Sequence, residues 1–543
     1  MRGRLVVELL KESELSANFS VRVAQNQWRL AENISSAYDF VICGAGSSGS
    51  VVARRLAENA NVKVLLLEAG GTDDFPSCTD PNLWPSTLKS DLAWQFETQP
   101  QKHLQERTVP YPMGKVLGGG SSINACVWAV GHKNDWDFFA ECTGDPAWSH
   151  ESVRKIYHQI EDWRGDADIK YRGCNGRVYV APNPNTPLAP AFLEAAEAAG
   201  LPRFDTQNGP LMESDGGCSI AELNVQDGRR RSIFRSYTYP VMDRPNLTVL
   251  TRAIVTKILF SGNKATGVEF IHLGKVITVQ AGVEVVVSSG AIQTPKLLMQ
   301  SGIGPRDQLV RFGIPVISHL PGVGQNLQDH PLSGCLWEAP ESPESTSVLT
   351  QAIVLWKSAP EKLSPDVAAF LIARPLATEN GVGKPKKLIW GIRSAVLQPR
   401  SRGQLILTGP QASDGMRIEP NLLSDPMDMN AALTAINFCR ELGNSPSMRA
   451  VVDRELEPGT LDDAGMEGYL RRTVQTFWHQ SCTAKMGNDD MSVVGGDLLV
   501  HGVRGLRIAD ASVLPRITTG NTMAPSVVIG ERASAAIRSC HGV

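Results

Sequence analysis

The stretch YDFVICGAGSSGSVVARRLAENANVKVLLLEAGG, which begins at Tyr38, leaves few folds open to this chain. Residues 38–43 read as a short buried strand. Gly44, Gly46 and Gly49 then form G-x-G-x-x-G, with Ser47 and Ser48 in the turn, and SVVARRLAE has helical periodicity. VKVLLLE, Val62 to Glu68, is a second buried strand that ends in an acid. This is the strand–turn–helix–strand–acid order of a dinucleotide-binding fold. Gly44 permits the tight turn, Gly46 lets the backbone approach a pyrophosphate, and Gly49 lets the helix pack on the strand. The helix N-terminus offers unpaired N–H groups to phosphate. Glu68, 24 residues beyond Gly44, can accept hydrogen bonds from an adenosine ribose. An acid there favours an unphosphorylated ribose, hence FAD or NAD over NADP, and the turn does not separate those two. A lone G-x-G-x-x-G is weak; the flanking strands and the acid make a ligand-free α/β turn the poorer reading.

The rest of the composition narrows the class. A chain of 543 residues is long enough for several domains. The net charge of −3 argues against a nucleic-acid partner and gives no reason to expect an anionic membrane surface. The ten cysteines are scattered without a C-x-x-C pair, so no zinc, iron–sulfur or thioredoxin-like pattern appears. Such usage suits free thiols in a reducing compartment. No apolar run is long enough to span a bilayer. MRGRLVVELLKESELSANFS lacks the apolar centre of a secretory signal, so a cytoplasmic location is expected. Residues 1–37 read as an N-terminal extension, with a short helix at most, lying outside the fold proper.

Further motifs lie downstream. GKVLGGGSSIN places Gly118, Gly119 and Gly120 before Ser121, Ser122 and Asn124, a loop small enough for close backbone approach to a flat or charged ligand. Taken alone, it could be a surface turn. SGAIQTPKLLMQSGIGP and PGVGQNLQDHP follow, then WHQSCTAKMG (Trp478 to Gly487) and LRIADASVLPRITTGNTMAPSVVIGERA. In this order and combination, from residue 38 to about 537, the chain resembles the glucose–methanol–choline (GMC) flavoprotein oxidoreductases. The resemblance implies FAD and an α/β chain, α+β overall. A Rossmann-like FAD-binding domain over 38–150, 228–330 and 475–543 would carry a substrate-binding domain over 151–227 and 331–474. That second domain would be built on a mostly antiparallel sheet, with PESPESTS and ENGVGKPKK as surface loops. By the same resemblance Gly118, Gly119, Ser122, Asn124, Ala511, Thr522 and Met523 join the first turn in holding the cofactor. The backbone around Val255 would lie against the adenine, and Asp510 would bond the ribityl or pyrophosphate region. The basic run GRRRS reads as structural, with Arg231 as an ion-pair partner.

Oxidising an alcohol removes a hydride, here to flavin N5, and a hydroxyl proton. A base within hydrogen-bond reach is worth roughly 10²–10⁴ in rate, and neutral imidazole suits the role. His479 and Asn521, 42 residues apart, stand where the family places this pair. Asn521 can position the substrate oxygen but cannot act as a base, so His479 is the sole base. Trp478 would shape the pocket, and the other histidines, His330 and His132 among them, read as structural. Pro525 marks the first turn of a helix whose dipole would favour negative charge on the reduced flavin. Ile123 stands where some members attach FAD through histidine, which predicts non-covalent FAD. Cys482 replaces a more usual glycine and reads as inert filler. NACVWAVGHKNDWDFFAE resembles the formate-oxidase branch, but Asn521 replaces that branch's carboxylate-binding arginine. The expected substrate is therefore a primary alcohol, aromatic or allylic, or an aldehyde hydrate, with oxygen or another acceptor reoxidising the flavin. The alternative is a lyase or photodecarboxylase on the same fold. Oligomeric state is left open.

Overall fold

The computed structural model describes residues 18–166, 168–340, 349–374 and 389–543. Apart from Pro340, the two expected surface loops fall outside them. Two seven-stranded sheets organise the chain. In the first, strands Leu247–Leu250, Val64–Leu67, Ala37–Cys43, Lys275–Val287 and Leu506–Ile508 lie parallel. Their shared stretch is mostly apolar and buried on both faces, as a covered parallel sheet requires, with Thr248, Glu284 and Arg507 as its polar members. The first half of Lys275–Val287 turns instead into an antiparallel meander with Lys264–His272 and Ala253–Ser261. The expected strand Val62–Glu68 is shorter, at Val64–Leu67.

Helices Ser47–Ala57 and Met523–His541 pack against each other. Gly530 permits this contact, since a Cβ there would lie 2.7 Å from Val51 Cβ and 2.8 Å from Ser48 O. Arg55 then pairs through two nitrogens with Glu531, which also accepts from the Tyr237 hydroxyl. Arg507 and Glu284 form a second paired fork, both buried, under the strand Leu506–Ile508. The motif charges thus join distant parts of the chain to one core.

The second sheet runs Arg454–Glu457, Pro331–Glu338, Ile389–Val396, Val367–Ile372, Thr350–Trp356 and Gly217–Ile220, with Gln475–Thr476 also on Pro331–Glu338. Every pairing in it is antiparallel. Side chains alternate between its faces. One set, including Trp337, Trp390 and Ile392, shares a cluster with Ala435 and Ile436 of helix Pro426–Gly443. The other set, including Leu332, Phe370 and Ala395, packs with Phe477 and Trp478 and so faces the site described below.

The N-terminal segment departs from expectation. Residues 18–32 form a helix docked on the first sheet, not an extension outside it. The Gln27 side chain donates to Leu247 O and Met242 O and accepts from Val249 N, so it pairs the open edge of strand Leu247–Leu250. Asn26 bonds Met242 O and Arg244 O beside it. Val23 is buried in the core with Phe19 and Ala31 packed beside it, but hydrophobic periodicity could not reveal the amide contacts. Gln27→Ala is expected to destabilise the protein by about 1–2 kcal/mol, the cost of leaving strand-edge groups unpaired. In a thermal melt, loss of the exposed neighbour in Trp28→Ala should stay within about 0.5 kcal/mol.

Candidate active site

One cavity of about 600 Å³ runs from the first glycine turn to His479 and Asn521. The turn is shaped by close backbone approach. A Cβ on Gly44 (φ +107°) would lie 2.3 Å from Ser288 O, and one on Gly49 would lie 2.0 Å from Gly44 O. A Cβ on Gly46 would meet nothing within 4 Å, because this glycine opens into the cavity. Gly119 (φ +52°) packs over it, with its would-be Cβ 2.9 Å from Gly46 Cα, and Gly118 N donates to Ala45 O. Both glycine loops therefore form one backbone cradle. The helix N-terminus at Ser47 and Ser48 faces the same space, although Ser48 Oγ is committed to Ser526 O.

Glu68 reaches the wall and accepts from Ala45 N and Gly70 N at 3.0 and 2.8 Å. Burial pushes its carboxyl up to about 7, against those two donors. Val255, Asn124, Ala511, Thr522 and Met523 also line the cavity. Gly49, Gly118 and Ser122 are not among its lining residues; they shape the wall, with Ser122 Oγ bonded to Leu117 O. The Asp510 carboxylate also touches the cavity, but Gly290 N, Thr294 Oγ1 and Ser512 N already engage it. It ties the start of helix Gly290–Gln300 to the Ala511 turn. The basic run acts through a residue other than the expected one. Arg231 is exposed, whereas Arg230 is buried and donates to Cys78 O and Asn124 Oδ1, and Arg235 pairs with Asp73.

At the far end, Trp478 sits at φ +60°, a left-handed conformation uncommon for a large side chain. Asp329 is the buried anchor there. It accepts from His330 N at 2.8 Å, from His479 N at 3.0 Å and from the Thr476 hydroxyl, which in turn accepts from Trp478 N. Burial raises the Asp329 carboxyl to about 6, against these donors. His479 Nε2 lies 3.2 Å from Asn521 Nδ2, and both side chains face the cavity. The opposite nitrogen, His479 Nδ1, lies 2.9 Å from His330 Nδ1. Burial, then the neighbouring His330, holds the His479 imidazole well below its ordinary pKa, so it is neutral. Trp84 meets Trp478 edge-on at 5.6 Å, and Phe370 does the same to Phe477 at 5.0 Å.

His132 is structural as expected: it caps helix Lys133–Thr143 through Asn134 N and bonds Ser214 O. His330, read as structural, stands against His479, and sequence reasoning passed over Asp329. The signal was an acid beside a histidine in QDHP. Cys482 lies off the cavity at φ +74°, which explains why glycine suits that position. Burial pushes its thiol up to about 12, so it is unreactive filler. All ten cysteines are free.

Comparison with known proteins agrees with this geometry. Two models described as GMC oxidoreductase match residues 38–332 and 399–530. The chain is 35% identical over 536 residues to an oxygen-dependent choline dehydrogenase of Paraburkholderia xenovorans, covering 92% of this chain and 94% of that one. Among solved structures, it is similar to pyridoxine 4-oxidase from Mesorbium loti, with TM-score 0.88 and 29% identity over 93% of this chain and 99% of that one. Formate oxidase follows with TM-score 0.86 and 25% identity, over 94% and 99%. The chain belongs to the GMC oxidoreductase family and is an FAD-dependent oxidoreductase.

The residues present fit FAD: a backbone cradle that a side chain would fill, a helix N-terminus for phosphate, and a buried acid with oxygens on the wall. Gly46→Ala should leave the melting temperature of the apoprotein unchanged and lower flavin absorbance per chain. Gly49→Ala should destabilise the apoprotein itself by at least about 1–3 kcal/mol, since its methyl would overlap Gly44 O.

Proposed function

We propose that this chain oxidises the hydroxyl of a primary alcohol, aromatic or allylic, or of an aldehyde hydrate. His479 would be the general base, with Asn521 positioning the substrate oxygen. The observation that carries this reading is the neutral His479 beside Asn521 on the wall of the cavity shared with the cofactor cradle. FAD, when bound, supplies the hydride acceptor. His479 Nε2 takes the hydroxyl proton, and the Asn521 amide N–H holds the oxygen left behind. The Asn521 Oδ1 atom is buried without a partner, so a hydroxyl or water could complete the site.

Trp84, Leu332, Phe370, Phe477 and Trp478 give the substrate end apolar walls. Among the described residues, the acids on the cavity are Glu68, Asp414 and Asp510, and none bonds the catalytic pair. Lys296, Arg374 and Arg393 also line the cavity, so this supports a substrate without a positive charge. Ile123 offers no nucleophilic atom, which supports non-covalent FAD. The names of the relatives speak of choline and pyridoxine, both alcohols, and of oxygen, which supports oxygen as acceptor.

The test is anaerobic mixing with a panel of aromatic, allylic and aliphatic primary alcohols, aldehydes and formate, followed by air. Flavin bleaching by an alcohol and recovery in air are expected. No bleaching by any compound would sink the reading in favour of a lyase. His479→Ala should slow bleaching at least about a hundredfold while FAD stays bound, and acid precipitation of the wild type should release the yellow colour.

The pH dependence has a defined sign. Burial disfavours imidazolium, so the base stays free as pH falls past the ordinary value of about 6.5. The acid limb of kcat/KM is therefore expected below that value, and a limb above it would mean a solvated imidazole.

A further inference from the structure

We propose that His330 is a positioning residue: its Nδ1 accepts a hydrogen bond from His479 Nδ1–H, which leaves the His479 Nε2 lone pair on the Asn521 side of the cavity. The inference rests on the reading of His479 as base. The two rings stand nearly perpendicular, at 87°, with the Nδ1 atoms 2.9 Å apart. A neutral imidazole carries one N–H and one bare nitrogen. Only two arrangements of this pair make the bond.

If His330 donates, its own Nε2 is bare and His479 carries its proton on Nε2. The Nε2–H of His479 would then oppose the Asn521 Nδ2–H at 3.2 Å, donor against donor. His479 would also present an N–H to the substrate and could not take a proton there. If His479 donates, His330 carries its proton on Nε2. The bare Nε2 of His479 then accepts from Asn521 Nδ2–H at 3.2 Å. The second arrangement matches donor to acceptor at both His479 nitrogens; the first opposes two donors at Asn521.

His330 is fully buried, and burial pushes its pKa down to about 3, so it stays a neutral acceptor. The charged group on the adjoining segment, Asp329, bonds the backbone N–H of both histidines and the Thr476 hydroxyl. It orients the main chain, and His330 sets the tautomer. After proton uptake at Nε2, the same Nδ1–H···Nδ1 bond would stabilise the His479 imidazolium.

The test uses holoenzyme with 15N-labelled histidine, its signals assigned from His479→Gln and His330→Asn. His479 is expected as the Nδ1–H tautomer, and an Nε2–H tautomer overturns the proposal. This readout stands even if no alcohol bleaches the flavin, an outcome that sinks the proposed activity alone. His330→Leu removes the acceptor and should slow anaerobic flavin reduction by about 10- to 100-fold, part of the general-base contribution, with KM and FAD content unchanged. His330→Asn places an acceptor oxygen near the Nδ1 position and should recover most of that rate. Equal rates for Leu and Asn, or wild-type rates in Leu, would refute it. If the Leu variant fails to fold, the wild-type spectrum decides.

Discussion

The cavity depends on three backbone segments meeting at distances that exclude side chains. Residues 44–49, 118–120 and 288–290 converge where a Cβ on Gly44, Gly49 or Gly119 would strike main-chain atoms. Two of these glycines also hold positive φ. The convergence leaves N–H groups and small side chains facing the cavity, which is what a pyrophosphate needs. It also brings the strand end at Val287 and the second glycine loop to the first turn, so that residues far apart in sequence share one wall.

A second constraint works at the other end. A single buried carboxylate, Asp329, gathers the backbone of His330 and His479 and, through Thr476, that of Trp478. It is stable there because its oxygens receive donors in place of water. The tight turn at Trp478 follows, and it faces His479 into the cavity beside Asn521. Cys482 N then bonds Ala511 O and Ala484 N bonds Ser512 O, which carries the histidine segment along the asparagine segment. His479 and Asn521 are thus held together by main-chain bonds, with burial keeping the imidazole neutral.

How much of this was legible in the chain varies with the kind of interaction. The glycine turn, the buried strands and Glu68 follow from local sterics and apolar runs, and they stand where those rules put them. The basic run shows the limit: charge identified GRRRS as structural, but Arg230 rather than Arg231 points inward, because the strand's two faces cannot be told apart by composition. The helix over 18–32 docks through Val23 and through the amides of Asn26 and Gln27, and the amide contacts are ones that periodicity does not register. His330 looked structural because one histidine in QDHP carries no partner in its own segment.

The sequence by itself determined the dinucleotide turn, through the spacing of its glycines and acid, and the family; the resemblance to that family is what pointed to His479 and Asn521 as a pair. Only the tertiary structure decided which neighbours complete that chemistry. It set the Nδ1-to-Nδ1 contact with His330, the hub at Asp329 and the apolar wall of Phe370 and Trp84. The reason is physical: hydrogen bonds and packing between residues 107 or more positions apart depend on where the two sheets bring their ends, and no local pattern encodes that distance.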